Sequence, residues 1–407
     1  MNIIYLVPYV PNLIRVRPFN LIRVLSEQGD NVTVLTLWSN ASERQDLRYL
    51  STICKNVISD PLPKWRSLIN CALAIPGKDP LQAAFCWQPA LKKKLIALLN
   101  NAEGLPQYDV LHIEHLRGAN YGLKIPKNSS IPVVWDSVDC ISHLFRQAAQ
   151  QTSQFSRRAV TSFELPRTEY YEGRLANLFD HTFVTSPIDR KAFLNLPNPP
   201  DPQRISVLPN GVDLEYFSPD SGISRDQKNL VISGKMSYHA NVTMVLHLIN
   251  NIMPLVWASM PEVTVTIVGK DPPQDIQLLT LDPRVRVTGY VEDIRPYLRR
   301  ASAALAPTLY GAGIQNKVLE AMACGTPVIS SKLAIQSLEV KNGHDLLAAD
   351  ETELFAKYVV EVLEKPDLQI ALGSAARKFV EEKHSWGAVA TNLKTKYASI
   401  KDKYHAL

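Results

Sequence analysis

A chain of 407 residues exceeds the size at which one hydrophobic core usually keeps growing, so two domains of about 200 residues each are expected. With 46% hydrophobic and 20% charged residues and no low-complexity tract, the composition excludes a predominantly disordered chain. The net charge of +5, from 44 basic against 39 acidic residues spread along the chain, is too small to point to nucleic acid.

The N-terminus, MNIIYLVPYVP, has no basic leader and an apolar run of only about six residues, which predicts a buried strand over Ile3 to Val7 in place of a signal peptide or membrane span. Five cysteines (Cys54, Cys71, Cys86, Cys140, Cys324), an odd count with no CxxC pair, predict reduced thiols without zinc and a cytoplasmic setting. Arg15 and Arg17, in the loop expected after the first strand, suit an anionic acceptor such as a lipid-linked phosphate, or are plain solvated loop residues. A helix is predicted over Phe19 to Gln28, ended by Gly29, and a strand over Val32 to Leu37. Lys92, Lys93 and Lys94 follow a stretch with Trp65, Phe85 and Trp87; this is either a surface for anionic lipid or acceptor, peripheral on the inner membrane face, or a solvated helix face beside a core segment.

Further strands are predicted over Val110 to Ile113, Val133 to Trp135 and Thr182 to Thr185, with the polar stretch Cys140 to Leu178 as helix. His112, Glu114 and His115 follow the first of these and are placed to line a cleft as acceptor-binding residues. Neighbours on a strand point to opposite faces, so HIEH is not a helical zinc motif, and a structural role for one histidine is the alternative.

The segment Arg204 to Pro219, punctuated by Pro and Asn-Gly, reads as the interdomain connection, which divides the chain into residues 1–204 and 205–385. The second half predicts strands over Leu230 to Ser233, Val263 to Val268, Val285 to Thr288, Ala303 to Ala306 and Pro327 to Ser330. Helices are predicted over Asn241 to Ser259, Asp293 to Arg300 and Asn316 to Cys324. Amphipathic Trp386 to Tyr397 is expected to carry residues 386–407 back onto the first domain. Strands alternating with helices in both halves give an α/β fold of doubly wound parallel sheets.

Two glycine loops carry the chemistry. After the Ala303 strand, Tyr310-Gly-Ala-Gly-Ile-Gln-Asn-Lys leads into a helix, so free amides and the positive end of the helix dipole converge where an anion belongs. Lys317 lies in the first turn, and Glu320, one turn deeper on the same face, can accept bonds from two neighbouring hydroxyls such as those of a ribose. A simple turn at Gly311 and Gly313 with a surface Lys317–Glu320 pair is the alternative. Gly234-Lys235-Met236-Ser237-Tyr238 follows the Leu230 strand, and the carboxyl edge of a doubly wound sheet would bring Lys235 and Lys317 to one diphosphate.

The runs ISVLPNGVDLEYFSP, VRVTGYVEDIRPYLRRASAALAPTLYGAG and GIQNKVLEAMACGTPVIS resemble the retaining glycosyltransferases of family 4, over most of the C-terminal half and more weakly over the N-terminal half. The resemblance implies the GT-B fold: two Rossmann-like domains facing across a cleft, the second holding a nucleotide-sugar donor and the first an acceptor. It implies that Glu320 binds the donor ribose and that Gly234 and Lys235 meet its diphosphate. The loop of Gly311, Gly313, Ile314 and Gln315 would face the sugar, and the backbone of Tyr290 and Val291 would lie beside the base. Three positions depart from the family. Ala312 stands where the first of two glutamates is usual, Asn241 falls near the second phosphate-binding lysine, which Lys317 replaces, and Asp136, followed by Asp139, stands where a histidine is common.

These readings predict retaining, metal-independent sugar transfer in cell-surface polysaccharide or glycolipid synthesis, with Lys235, Lys317 and Asp136 as the catalytic groups. No cofactor beyond the nucleotide-sugar co-substrate is expected. The acceptor would be a carbohydrate or lipid-linked molecule. A sugar-nucleotide epimerase, a phosphorylase or a non-catalytic nucleotide-sugar-binding protein are the alternatives on the same fold.

Overall fold

The computed structural model describes all residues except 13–14, 101–107, 126–130, 152–154, 311–315 and 406–407. The chain divides into two compact units, residues 1–209 with 389–407, and residues 210–388.

The first unit holds a seven-stranded parallel sheet of β1 (Asn2–Val7), β2 (Asn31–Trp38), β3 (Asn56–Pro61), β4 (Val110–Glu114), β5 (Val133–Val138), β6 (His181–Val184) and β7 (Ile205–Val207), in the order β3-β2-β1-β4-β5-β6-β7. The apolar runs at Ile3 to Val7 and Val110 to Ile113 are buried on both faces, as a parallel sheet covered by crossover helices requires. Because β1 is flanked by β2 on one side and β4 on the other, the winding reverses there, and the carboxyl ends of β1 and β4 open a crevice. The division falls at Pro209 because β7 adds an edge strand that the sequence reading placed in the connection. The closing helix, Trp386–His405, runs eight residues beyond Tyr397, and from Val389 onward it groups with the first unit.

In the second unit the six parallel strands are β8 (Asp226–Ser233), β9 (Thr264–Val268), β10 (Val285–Val287), β11 (Ala301–Ala306), β12 (Val328–Ser330) and β13 (Leu347–Ala348), ordered β10-β9-β8-β11-β12-β13. Leu230 and Ile232 of β8 pack into one core and Val231 into the other, so the two-residue period divides the strand between two covered faces. The stretch His239–Ser259 is long and apolar enough to cross a membrane, yet its Met244, Val245, Leu248, Ile252 and Val256 are buried in this core. It is not the single α-helix expected. Leu248–Ile252 forms a π-helical segment between His239–His247 and Met253–Ser259, just before Pro254. Cys140 to Leu178 likewise resolves into two helices, Ile141–Gln151 and Phe155–Leu178.

Candidate functional site

β8 sits at the reversal of the second sheet, between β9 and β11, so the loops following β8 and β11 meet at its carboxyl edge. Gly234 closes β8 at φ +149°, and a Cβ there would stand 2.8 Å from Asn241 Nδ2, so only glycine fits. The neighbouring Gly269 lies so close that a Cβ would sit 1.7 Å from the Gly234 carbonyl oxygen. Glycines thus let two strand ends approach and leave the exposed Lys235 at the rim.

Asn241 is the hub of this corner. Its Nδ2 donates to the Lys235 carbonyl at 2.9 Å, and its Oδ1 accepts from Lys317 Nζ at 2.7 Å. Lys317 therefore crosses from the Asn316–Ala323 helix, which follows β11, to the loop after β8. The amide keeps Lys317 in place but brings no charge to neutralise it. Burial lowers the Lys317 ammonium to about 8, with Glu320 opposing the shift. Burial raises the Glu320 carboxyl to about 7, against the pull of Lys317. Among the described residues no hydrogen bond or ion pair reaches the Glu320 carboxylate, which feels Lys317 only at a distance, so the surface ion pair weighed from sequence does not form. A half-buried cation and carboxylate that feel each other's charge without pairing among the described residues are poised for a ligand that offers each of them something.

Tyr310 closes the other side of the corner: its hydroxyl bonds His239 Nδ1 and lies 3.1 Å from Thr243 Oγ1. This tie between the loops after β8 and β11 was not read from the sequence, because neither residue carries a spacing signal of its own. Tyr290 is exposed after Gly289, at φ +68°, and Val291 packs on the core below it. Gly311, Gly313, Ile314 and Gln315, with Ala312, lie outside the described residues.

The first unit treats its expected site residues differently. Arg17 is not in a loop. It lies in the Val16–Glu27 helix, buried, with Nε and Nη2 donating to Asp136 Oδ2 at 3.0 and 2.7 Å. Nη2 also donates to the Leu208 carbonyl at 3.0 Å and Nη1 to the Pro209 carbonyl at 3.2 Å. The Val138 amide donates to Asp136 Oδ1 at 3.1 Å, so both carboxylate oxygens are taken. Acceptor binding by Arg17 and catalysis by Asp136 are corrected to a buried structural pair.

His112 and Glu114 are also interior. Alternation along β4 points both to the same face, where Tyr5 stacks on His112 at 4.2 Å and donates to Glu114 Oε2 at 2.8 Å. Tyr397 of the closing helix shares a 2.7 Å hydrogen bond with His112 Nδ1, and burial together with Arg17 lowers this histidine to about 3. Tyr9 donates to Glu114 Oε1 at 3.1 Å, and burial with the neighbouring Asp136 raises Glu114 to about 8. Neither side chain is open to an acceptor. His115 differs: it is half-buried at the carboxyl end of β4, in the left-handed region at φ 63°, a strained conformation for a residue with a Cβ. Arg15 lies over the Tyr9 ring and pairs with Glu43 at 2.9 Å. Among the described residues there is no cluster of three His, Cys, Asp or Glu side chains suited to a metal ion.

Comparison with known proteins fits this layout. Residues 16–216 match the family described as Glycosyltransferase Family 4, and residues 227–365 match Glycosyl transferases group 1. The UDP-Gal:alpha-D-GlcNAc-diphosphoundecaprenol alpha-1,3-galactosyltransferase of Escherichia coli is 28% identical over 222 residues, covering 50% of this chain and 54% of that protein. The phosphatidyl-myo-inositol mannosyltransferase of Mycolicibacterium smegmatis is 25% identical over 202 residues, covering 47% and 51%. The chain thus spans about half the length of these curated relatives. Among solved structures, HepE of Anabaena in complex with UDP superposes with a TM-score of 0.66 at 16% identity, over 98% of this chain and 100% of that one. Sucrose-phosphate synthase of Thermosynechococcus elongatus gives 0.66 at 16% identity over 98% of both chains. These two likenesses bear on the fold, which is that of GT-B glycosyltransferases.

Proposed function

Starting from a chain that belongs to the GT-B glycosyltransferases of family 4 and group 1, we propose that it moves a sugar from a uridine-diphosphate sugar, bound by the second unit, to a lipid-linked acceptor bound by the first. The carrying observation is the Lys317–Asn241–Lys235 corner at the β8/β11 reversal, with Glu320 one turn further along the Asn316–Ala323 helix. The uridine and the lipid-linked acceptor are argued by analogy with the galactosyltransferase of Escherichia coli, whose name states both.

In the reaction, the bond between the sugar's C1 and the β-phosphate oxygen breaks, and its electron pair stays on that oxygen. The new bond joins C1 to an acceptor hydroxyl, whose proton leaves with the diphosphate. Charge accumulates on the departing oxygen, where Lys317, Lys235 and the start of the Asn316–Ala323 helix supply stabilisation from the protein itself. Glu320 accepts the ribose hydroxyls. We propose that transfer retains the anomeric configuration and needs no metal ion. Incubation with UDP-sugars and an undecaprenyl-diphosphate-linked acceptor, in EDTA, is expected to give an α-linked product by NMR. UDP release only in the presence of added divalent metal, or a β-linked product, contradicts this. UDP binding without transfer to any acceptor would instead favour a binding protein.

A pH dependence follows from the same corner. A diphosphate favours the charged form of Lys317, and with the empty-site value near 8 the lysine is already charged below that pH. Above it, each binding event takes up a proton, so UDP affinity falls as pH rises, approaching about tenfold per pH unit. Below about 7, protonation of Glu320 removes an acceptor for the ribose, and affinity falls again. Calorimetric titrations in buffers of different ionisation enthalpy read both limbs. Affinity that stays flat between about pH 7 and 9.5 contradicts the assignment.

A further inference from the structure

Two neighbouring strands of the first unit end in backbone that residues with a Cβ rarely adopt. His115, directly after β4, stands at φ 63°, and Val138, the last residue of β5, at φ 70°. For a β-branched residue the left-handed region is an outlier, and such strain persists only where the surrounding structure over-determines it. β4 and β5 pair in parallel with Glu114 opposite Asp136, so both residues leave the same stretch of the carboxyl edge, on strands about 4.8 Å apart. At Val138 the backbone is committed to its neighbours. Its N–H donates to Asp136 Oδ1 at 3.1 Å, and its carbonyl accepts from the Thr185 amide at 2.7 Å. Asp139 is the first side chain beyond this fixed turn.

The two side chains offer opposite halves of a hydrogen bond. His115 Nδ1 accepts from the Arg117 amide at 3.3 Å, which assigns the proton of the neutral imidazole to Nε2. Burial, and then the Arg117 guanidinium, lower this histidine to about 4, so the ring is neutral at physiological pH. Tyr9 meets it edge-on at 6.2 Å, and among the described residues nothing accepts from Nε2–H. A ring in that tautomer donates at Nε2 and cannot take a proton there, so it binds and is not a base. Asp139 is half-buried; Thr185 Oγ1 donates to its Oδ1 at 3.3 Å, and among the described residues no cation pairs with the carboxylate. Burial, and then Asp189, raise it to about 6, which leaves it ionised at neutral pH. A fixed N–H donor and an ionised carboxylate on one edge suit a polyhydroxylated ligand, because each hydroxyl both accepts and donates.

We infer that the carboxyl edge of β4 and β5 binds the saccharide of the acceptor, with His115 Nε2–H donating to one ring hydroxyl and the Asp139 carboxylate accepting from another. The inference rests on the sugar-transfer reading for its purpose and adds the residues that recognise the acceptor. Asp139 decides for a hydroxyl over the acceptor's phosphate, which its charge would repel. The hydroxyl on His115 is not the attacking one, because a donor on that oxygen would withdraw the lone pair from which the new bond forms. His115 and Asp139 therefore orient the ring, and the proton of the attacking hydroxyl still leaves with the diphosphate. The left-handed backbone at positions 115 and 138 holds both groups in place before the ligand arrives, which reduces the ordering cost of binding.

Histidine-selective isotope labelling of the full chain reads His115 directly by NMR, its ring signals assigned by their loss in His115→Gln. The neutral Nε2–H tautomer is expected at neutral pH, with a shift on adding a water-soluble probe, N-acetylglucosamine joined through a diphosphate to a short alkyl chain. The alkyl diphosphate alone should leave the signal where it was. In transfer assays His115→Phe, which keeps a ring, should raise the KM for the probe about 10-fold, the scale of one hydrogen bond, with a smaller change in kcat. His115→Gln, which keeps an N–H, should recover part of that, and Asp139→Ala should raise KM similarly. UDP affinity should be unchanged in all three, which also reports that they fold. Among probes lacking one ring hydroxyl each, one should bind the wild type about as weakly as the complete probe binds His115→Phe, a comparison that holds even if a variant does not fold. The Nδ1–H tautomer, no shift with the probe, or an unchanged KM in His115→Phe or Asp139→Ala overturns the inference. So does a shift with the alkyl diphosphate alone, which would assign the edge to phosphate. A response at His115 with no transfer to any acceptor would sink the transferase reading and leave the saccharide edge standing; transfer with no response at His115 would do the reverse.

Discussion

Replacing Lys317 by alanine is expected to lower kcat for sugar transfer by about 10²-fold or more, the scale of losing one preorganised donor to a developing anion. The side chain is held by Asn241 Oδ1 at 2.7 Å before any ligand arrives, so little rotamer freedom is lost when a diphosphate binds. The partner that holds it is neutral, so the positive charge remains available. Lys235 stands exposed at the rim and must be ordered by the ligand, so Lys235→Ala is expected to cost less than Lys317→Ala. Lys317→Arg should recover part of the loss by keeping the charge. Steady-state kinetics at saturating donor separates these cases, and an unchanged kcat in the Lys317 variant rules out its role.

The largest stability effect is expected at Asp136. Asp136→Ala strands the Arg17 guanidinium in the interior, and breaking a buried pair from one side typically costs about 3–5 kcal/mol. Two further groups feel the loss, because the same guanidinium bonds the carbonyls of Leu208 and Pro209, where the chain leaves β7. Urea unfolding followed by a probe in the first unit should show a midpoint shifted strongly downward. The double variant Arg17→Met, Asp136→Leu should recover much of the loss, because it removes the uncompensated charge. If Asp136→Ala unfolds like the parent, the pair carries no structural weight.

Those two residues also mark what a sequence can show. Strand positions were legible because burial on both faces makes unbroken apolar runs: Ile3 to Val7, Val110 to Ile113 and Ala303 to Ala306 are strands as read. The corner around Lys317 was legible too, because glycine loops after strands mark the carboxyl edge of a doubly wound sheet, and the family likeness singled out Asn241 as the departing position. Burial of polar side chains was not legible. Arg17, His112, Glu114 and Asp136 look in sequence like cleft residues, and only the fold shows them inside, Arg17 on Asp136, Glu114 on Tyr5 and Tyr9, and His112 on Tyr397. Short elements also escaped: β13 has two residues, and β7 has three within a stretch punctuated like a linker. The Lys64–Ala74 helix was missed because its apolar face looks outward, so its pattern gives no sign of which side meets the protein.

The central claim, that a nucleoside diphosphate is held where β8 and β11 end, is tested most directly by a crystal structure of the protein with UDP. The account predicts diphosphate oxygens within hydrogen-bond distance of Lys317 Nζ and Lys235, and ribose hydroxyls on the Glu320 carboxylate. UDP bound elsewhere on the second unit, with no diphosphate oxygen on Lys317 Nζ and no ribose hydroxyl on Glu320, would contradict it.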